Sequence, residues 1–204
     1  MKAFVVEKIG DKEFKSGIQD ISTPKCGENE IVIKVTYSSL NYKDALSSIG
    51  NPGVTRNFPH TTGIDVAGTV YESTSSIFKV GERVLVTGYD MGMNTNGGHA
   101  QFVKVPAAWV ARIPDSISDK EIMAFGTAGL TAALSVNELI ENGIKPESGD
   151  ILVTGATGGV GSIAIAILSK LGYNITAISG KKDRIDFLKN IGAYKTDRES
   201  GITG

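Results

Sequence analysis

Ile151-Leu-Val-Thr-Gly-Ala-Thr-Gly-Gly-Val-Gly161 decides the fold. Ile151–Thr154 is an apolar run that reads as a buried parallel strand. It enters a turn with Gly155, Gly158, Gly159 and Gly161, and an apolar helix, Ser162–Leu171, follows until Gly172. A dinucleotide phosphate site requires this order of strand, glycine turn and helix. The turn must be tight and its backbone must approach the pyrophosphate. The helix N-terminus then offers free N–H groups and positive dipole to the anion. Thr157, Gly158, Gly159, Val160 and Gly161 are therefore candidate cofactor-binding residues. The bland alternative is a strand-to-helix turn that binds nothing.

The motif begins about three-quarters of the way along the chain of 204 residues. A complete domain of this kind needs about six strands. From Ile151 onward only two are readable, Ile151–Thr154 and Asn174–Ser179, with a second helix over Lys182–Asn190 stopped by Gly192. Thr196–Gly204 is polar, and Glu199–Gly204 has no readable pattern. The expectation is an incomplete Rossmann dinucleotide-binding domain, as in a chain cut short. The open sheet edge this would leave suggests pairing with a second copy, a possible homodimer.

The first 115 or so residues read as mostly β. Lys2–Glu7 and Phe14–Ile21 form a strand pair across Gly10-Asp11. In Glu30–Ser38, Ile31, Ile33, Val35 and Tyr37 share one face, and Val32, Lys34 and Thr36 the other. Ile64–Glu72, Arg83–Thr87, His99–Val105 and Trp109–Ile113 are further short strands, and Asn41–Ser48 is a short helix. Many short strands with turn signals predict a partly open barrel. The texture changes after Pro114. Ser118-Asp-Lys-Glu121 is a capping box opening a helix over about Asp119–Asn142, with a break at Gly126-Thr-Ala-Gly129. The class is α+β followed by α/β, with a first domain over 1–118 and a second over 119–204.

Lys and Arg total 21 against 22 Asp and Glu, so neither nucleic acid nor an anionic membrane is an expected partner. No apolar run approaches the ~20 residues of a bilayer span. Met1–Glu7 reads as a strand rather than a signal segment, which suggests a cytoplasmic protein. One cysteine, Cys26, allows no internal disulfide and reads as a loop thiol. His60 and His99 read as loop and strand-edge residues. One Cys and two His without ligand spacing exclude a zinc centre from the reading.

Ser38-Ser-Leu-Asn-Tyr-Lys-Asp-Ala-Leu46, Gly63-Ile-Asp-Val-Ala-Gly68, Val80-Gly-Glu-Arg-Val84, Gly97-Gly-His-Ala-Gln101 and Gly126-Thr-Ala-Gly-Leu-Thr-Ala132 carry a resemblance. The chain resembles the medium-chain dehydrogenase/reductases, in their zinc-free quinone oxidoreductase branch. Ser39-Leu-Asn-Tyr-Lys-Asp44, Arg56-Asn-Phe-Pro59 and Ser179-Gly180 are similar to its acrylyl-CoA reductase-like subgroup. The resemblance covers residues 1 to about 195, and family members continue well beyond this chain's end. It implies a GroES-like N-terminal barrel domain for the substrate and a late cofactor domain. Zinc-dependent relatives have Gly-His-Glu where this chain has Gly63-Ile64-Asp65.

The resemblance implies hydride transfer from NADP(H) to a small molecule, an enoyl-CoA thioester or a quinone. Donors aimed at the oxyanion that develops would lower the barrier. Asn41 and Tyr42 supply amide and phenol donors, and Asp44 belongs to the same segment. Tyr42 and Thr127 are the residues that the resemblance sets beside the cofactor. The competing readings are an N-cap for Asn41, a first-turn carboxylate for Asp44 and small-residue packing for Thr127. Asp65 reads as a structural hydrogen-bond partner. After the second strand, Ser179, Gly180, Lys181 and Lys182 stand where an NAD site has an acid, and favour a 2′-phosphate. Arg198 is a looser candidate for the same phosphate. The alternatives are a non-catalytic NADP(H)-binding redox sensor and an inactive fragment.

Overall fold

The computed structural model describes residues 1–197. They form two compact units, Met1–Thr127 and a second that starts at Ala128.

In the first unit, β1 (Lys2–Lys8) and β2 (Phe14–Asp20) make the expected hairpin, with Lys8 opposite Phe14. β3 (Glu30–Tyr37), α1 (Tyr42–Ser48), β4 (His60–Thr61) and β5 (Asp65–Ser73) follow. After them come β6 (Arg83–Thr87), β7 (Phe102–Pro106) and β8 (Ala111–Arg112). One sheet has the order β2-β1-β4 and the other β7-β3-β5-β6-β8. The expected strand over His99–Val105 is shorter because its first residues stitch the two sheets. Phe4 N–H donates to His99 O at 2.8 Å, Gln101 N–H to Lys2 O at 3.0 Å, and Val35 N–H to Gln101 O at 2.9 Å. This lacing makes the pair of sheets a partly open barrel. The core holds Ile31, Ile33, Val66, Val70, Val84, Val86, Val103 and Val105. Val32, expected on the outer face of β3, is also fully buried. One expected strand is mostly something else, and one observed strand was not expected. Trp109 ends a 3₁₀ turn, so the last strand is reduced to two residues, and β4 had no readable signal.

α2 (Asp119–Glu141) begins with the expected capping box. Ser118 N–H donates to Glu121 Oε2 at 2.9 Å, and Glu121 N–H returns to Ser118 Oγ at 3.2 Å. Asp119 fixes that end to the barrel by accepting from Arg83 Nη2 at 2.7 Å and Thr36 Oγ1 at 2.6 Å. By length and composition α2 is apolar enough to cross a membrane, unlike the expectation of no such segment. Gly126 breaks it with non-helical φ 49° and ψ −150°, and neither arm reaches ~20 residues.

In the second unit, β9 (Ile151–Val153), α3 (Gly159–Lys170), β10 (Ile175–Ile178), α4 (Ile185–Asn190) and β11 (Lys195–Asp197) form a parallel sheet of order β11-β10-β9. Its core is Val136, Ile165, Leu168, Ile175, Ala177 and Leu188. β11 corrects the expectation of two strands. Lys195-Thr-Asp197 lacks the apolar run of a parallel strand, and its pairing with Thr176–Ile178 defines it instead.

Gly68 lies where β5 crosses β3, and a Cβ there would overlap the Lys34 carbonyl and approach Ile33 Cγ2 to 2.9 Å. Gly68→Ala is expected to cost about 1–3 kcal/mol through overpacking. Urea unfolding checks it, and an unchanged midpoint would show that the sheet yields without strain.

Candidate functional site

The chain leaves β3 and caps α1 at Asn41, whose φ −121° and ψ 156° are extended. Asp44 Oδ2 accepts the Asn41 N–H at 2.8 Å, as a carboxylate at the third helical position can. Its other oxygen, Oδ1, accepts from Gly63 N–H at 3.1 Å and Ile64 N–H at 3.0 Å. Asp44 is buried and ties α1 to a turn about 20 residues away, beyond the helix-end role weighed for it. Gly63 is required there. Its φ is 108°, and a Cβ would lie 2.5 Å from His99 N.

Asp65, at the start of β5, has no solvent exposure. Its Oδ2 accepts from Asn41 Nδ2 at 2.8 Å, and its Oδ1 from Thr127 Oγ1 at 2.7 Å. Thr127 N–H reaches both oxygens at 3.0 Å. A buried carboxylate is tolerable when charge-assisted donors surround it, as here. The positive φ of Gly126 lets the chain bring Thr127 to Asp65. Asn41, Asp44 and Thr127 are thus drawn into one place around Gly63 and Asp65. Tyr42 is 79% exposed beside them, as is Leu40 at 88%.

A largely apolar hollow of about 540 Å³ opens beside this network, lined by Phe4, Leu40, Asn41, Asp44, Thr62 and His99 among others. His99 belongs to this hollow, a placement beyond the strand-edge role expected of it. Its Nδ1 lies 2.8 Å from Thr62 Oγ1 and its Nε2 3.1 Å from Ser39 O. His60 is buried on β4 with Nε2 3.0 Å from Gly92 O, and burial lowers its pKa from the ordinary value. That bond and the charges of Asp90 and Asp44 oppose the shift. Burial first, and then the charge of Glu72, push the Cys26 thiol up. Among the described residues no three His, Cys, Asp or Glu side chains gather as a metal site.

In the second unit the glycine turn leads from β9 straight into α3. Gly155 has φ 58°, and Gly158 N–H donates to Gly155 O at 2.9 Å. Gly158 caps α3 with no side-chain bond to its free N–H groups. Gly158, Gly159 and Val160 are exposed. Gly161 packs the turn against the helix, since a Cβ would stand 2.9 Å from Ala156 Cα. Thr157 Oγ1 lies 3.4 Å from Ser179 Oγ, which accepts Lys181 N–H at 3.2 Å. Gly180, Lys181 and Lys182 are exposed at the end of β10, on the side where the glycine turn lies. Arg198 lies outside the described residues.

Thr62 carries no signal in the sequence, and Asp65 is the structural hydrogen-bond partner expected of it, with partners distant in the chain. Asp65 and Thr127 are 62 residues apart, and no local pattern joins them. The one available signal was a carboxylate in an otherwise apolar strand.

Residues 27–115 match the alcohol dehydrogenase GroES-like domain family. The chain is 43% identical over 94% of its length to YhfP of Bacillus subtilis, named as a candidate quinone oxidoreductase, and covers 58% of that protein. The crystal structure of B. subtilis yhfP with NAD bound superposes with a TM-score of 0.94 at 40% identity, over all of this chain and 61% of that one. Acrylyl-CoA reductase AcuI of Ruegeria pomeroyi is 40% identical over 91% of this chain and 58% of its own length. The yhdH oxidoreductase of Salmonella enterica, crystallised with NADP, has a TM-score of 0.94 at 39% identity, over 98% of this chain and 62% of its own. The chain spans about six-tenths of the length of the relatives it matches. The fold is that of a GroES-like domain followed by part of a Rossmann-like sheet.

Asp65→Ala would leave the Asn41 amide and the Thr127 N–H without their acceptor, at an expected cost on the order of 3 kcal/mol. Chemical denaturation checks it, and a loss under about 1 kcal/mol would show that water replaces the carboxylate. His60 makes a separate prediction. Its folded pKa lies below the unfolded value of about 6.5, so the unfolded chain binds more protons. The His60 contribution to stability is full above pH ~6.5 and is lost as pH falls below it. Thermal melts from pH 8 to 5 should fall less steeply for His60→Gln than for the parent, and parallel slopes would remove His60 as the cause.

Proposed function

We propose, for a chain that belongs to the medium-chain dehydrogenase/reductase family, an NADPH-dependent and zinc-free reduction of an activated alkene of the acrylyl-thioester type, with quinones as alternative acceptors. The observation that carries this reading is the Asn41 amide held by the buried Asp65 carboxylate at the edge of the hollow. One Nδ2 hydrogen goes to Asp65, and the nitrogen has a second to give. A negative partner polarises that amide less than a cation would, but it fixes its direction, and a preoriented donor costs no reorganisation during reaction.

NADPH, when bound, supplies a hydride. The chain supplies the rest. The acceptor's carbonyl oxygen gains charge as the alkene is reduced, and Asn41 N–H is the donor for it. Tyr42, next in sequence and exposed, offers a second donor from its phenol. Asp44 orients the start of α1 and so sets where both donors stand. The apolar lining from Phe4 and Leu40 suits a short acyl chain. The zinc-free reading is supported by Asp65, whose oxygens are taken by N–H and O–H donors instead of facing open space.

The cofactor would sit with its pyrophosphate on the N–H groups of Gly159, Val160 and Gly161, where glycines keep the approach open. One relative is crystallised with NADP and another with NAD, so the preference falls to the residues after β10. Ser179, Lys181 and Lys182 offer a hydroxyl and two ammonium groups for a 2′-phosphate.

Calorimetric titration with NADPH and with NADH tests the cofactor reading. The Lys181→Ala, Lys182→Ala double variant is expected to bind NADPH about tenfold more weakly, ~1.4 kcal/mol, with NADH unaffected. Equal affinities in the parent would remove the preference. NADPH oxidation on adding acrylyl-CoA tests the reaction, and binding without turnover of either acceptor would remove the reductase reading.

A further inference from the structure

We propose that Thr62 and His99 are the proton-delivery pair of the hollow, with Thr62 Oγ–H donating to the substrate and His99 refilling it. The proposal rests on the reductase reading, because adding hydride to an alkene leaves a carbanion that needs a proton.

The backbone holds the two residues together. His99 N–H donates to Thr62 O at 3.0 Å and Gly98 N–H to Gly63 O at 2.8 Å, so the segment before β7 runs beside the turn after β4. The side-chain bonds then define the proton positions. Ser39 O, 3.1 Å from Nε2, can only accept, so Nε2 carries a hydrogen. In the neutral ring Nδ1 is therefore an acceptor, and the Thr62 hydroxyl, 2.8 Å away, points its hydrogen at the ring. Protonation reverses this. Nδ1–H now donates to Thr62 Oγ1, and the hydroxyl hydrogen is released to turn into the hollow that both residues line. Both imidazolium N–H groups have acceptors without any movement of the chain. His99 is half-buried and also borders a second, shallower hollow, so solvent protons can return to it. The other charged or titratable groups around it are Asp44 in the first hollow and Lys2 and Tyr37 in the second. Asp44 is engaged by Asn41, Gly63 and Ile64 N–H groups, and offers no proton.

The step balances. Hydride adds to the β-carbon of the enoyl thioester, and the C=C electron pair moves onto the α-carbon and carbonyl oxygen. The α-carbon forms a C–H bond as the Thr62 O–H bond breaks. The Nδ1 proton passes to Thr62 Oγ1, leaving neutral His99, which takes a proton from water. Net, one hydride and one proton are added.

Two measurements on the 204-residue chain test this. The first compares acceptors. A reduced quinone oxygen is protonated readily by water, whereas an α-carbon needs a placed acid. Thr62→Val and His99→Phe should each lower kcat for acrylyl-CoA about a hundredfold. The ratio of quinone to acrylyl-CoA turnover should therefore rise at least about tenfold in both proteins, and Thr62→Ser should bring that ratio back toward the parent's. Equal losses with both acceptors would mean a structural role and overturn the proposal, as would unchanged acrylyl-CoA turnover. The second needs no turnover. Long-range ¹H–¹⁵N spectra of the chain alone should show His99 as the Nε2–H tautomer at high pH, with an Nδ1 resonance that is displaced in Thr62→Val by loss of the hydroxyl bond. An Nδ1–H tautomer, or an Nδ1 resonance unchanged in Thr62→Val, would overturn the pair even if the wild type reduces neither acceptor. In that last case the reductase reading fails on its own.

Discussion

A carboxylate with no exposure to solvent sits at the first residue of β5, and much of the first unit is arranged to make it tolerable. A charge removed from water must be met by donors or it will not stay charged and buried. Asp65 is met from two directions, by the amide at the start of α1 and by the backbone and hydroxyl of Thr127 beyond the break in α2. Each donor comes from a segment that would otherwise be free to take other paths. The orientation of the Asn41 amide and the return of the chain after the kink both answer one desolvated anion.

Asp44 does for the backbone what Asp65 does for side chains. Its two oxygens bind one N–H of its own helix and two of a distant turn, so α1 cannot shift without exposing three donors. The same turn is crossed by the Gly97–His99 segment, with Gly97 N–H on Thr61 O and Gly98 N–H on Gly63 O. Glycine is needed on both sides because the two backbones approach more closely than side chains allow. The polar side chains of the hollow are thereby held by main chain, which is how loop residues acquire the fixed geometry a reacting site needs.

Much of this was legible in the residues. The glycine turn announced α3, the capping box announced α2, and alternation placed β3 within a residue of its observed ends. What escaped shares one cause. β4 and β8 have two residues each and β11 has three, too few for a period to show. They exist because a longer neighbour pairs with them. The site divides in the same manner. Asn41, Asp44 and Thr127 could be singled out by type and place, but their partners could not, since the bonds that explain them span 19 to 62 residues of chain. Thr62 was silent because a hydroxyl beside a glycine turn is unremarkable until a histidine is laid against it.

Gly126 has an inheritance of its own. Its positive φ already discourages other residues, and the space its side chain would need is held by Asp65 Oδ2 at 2.5 Å and Ser39 Oγ at 2.6 Å. A lineage that replaced this glycine would have to surrender the carboxylate, and one that lost the carboxylate would remove one of the restraints that keep the glycine. Gly126, Asp65 and Asn41 should therefore change together more often than apart through descent, a correlated trio spread across the chain in which no pair is adjacent.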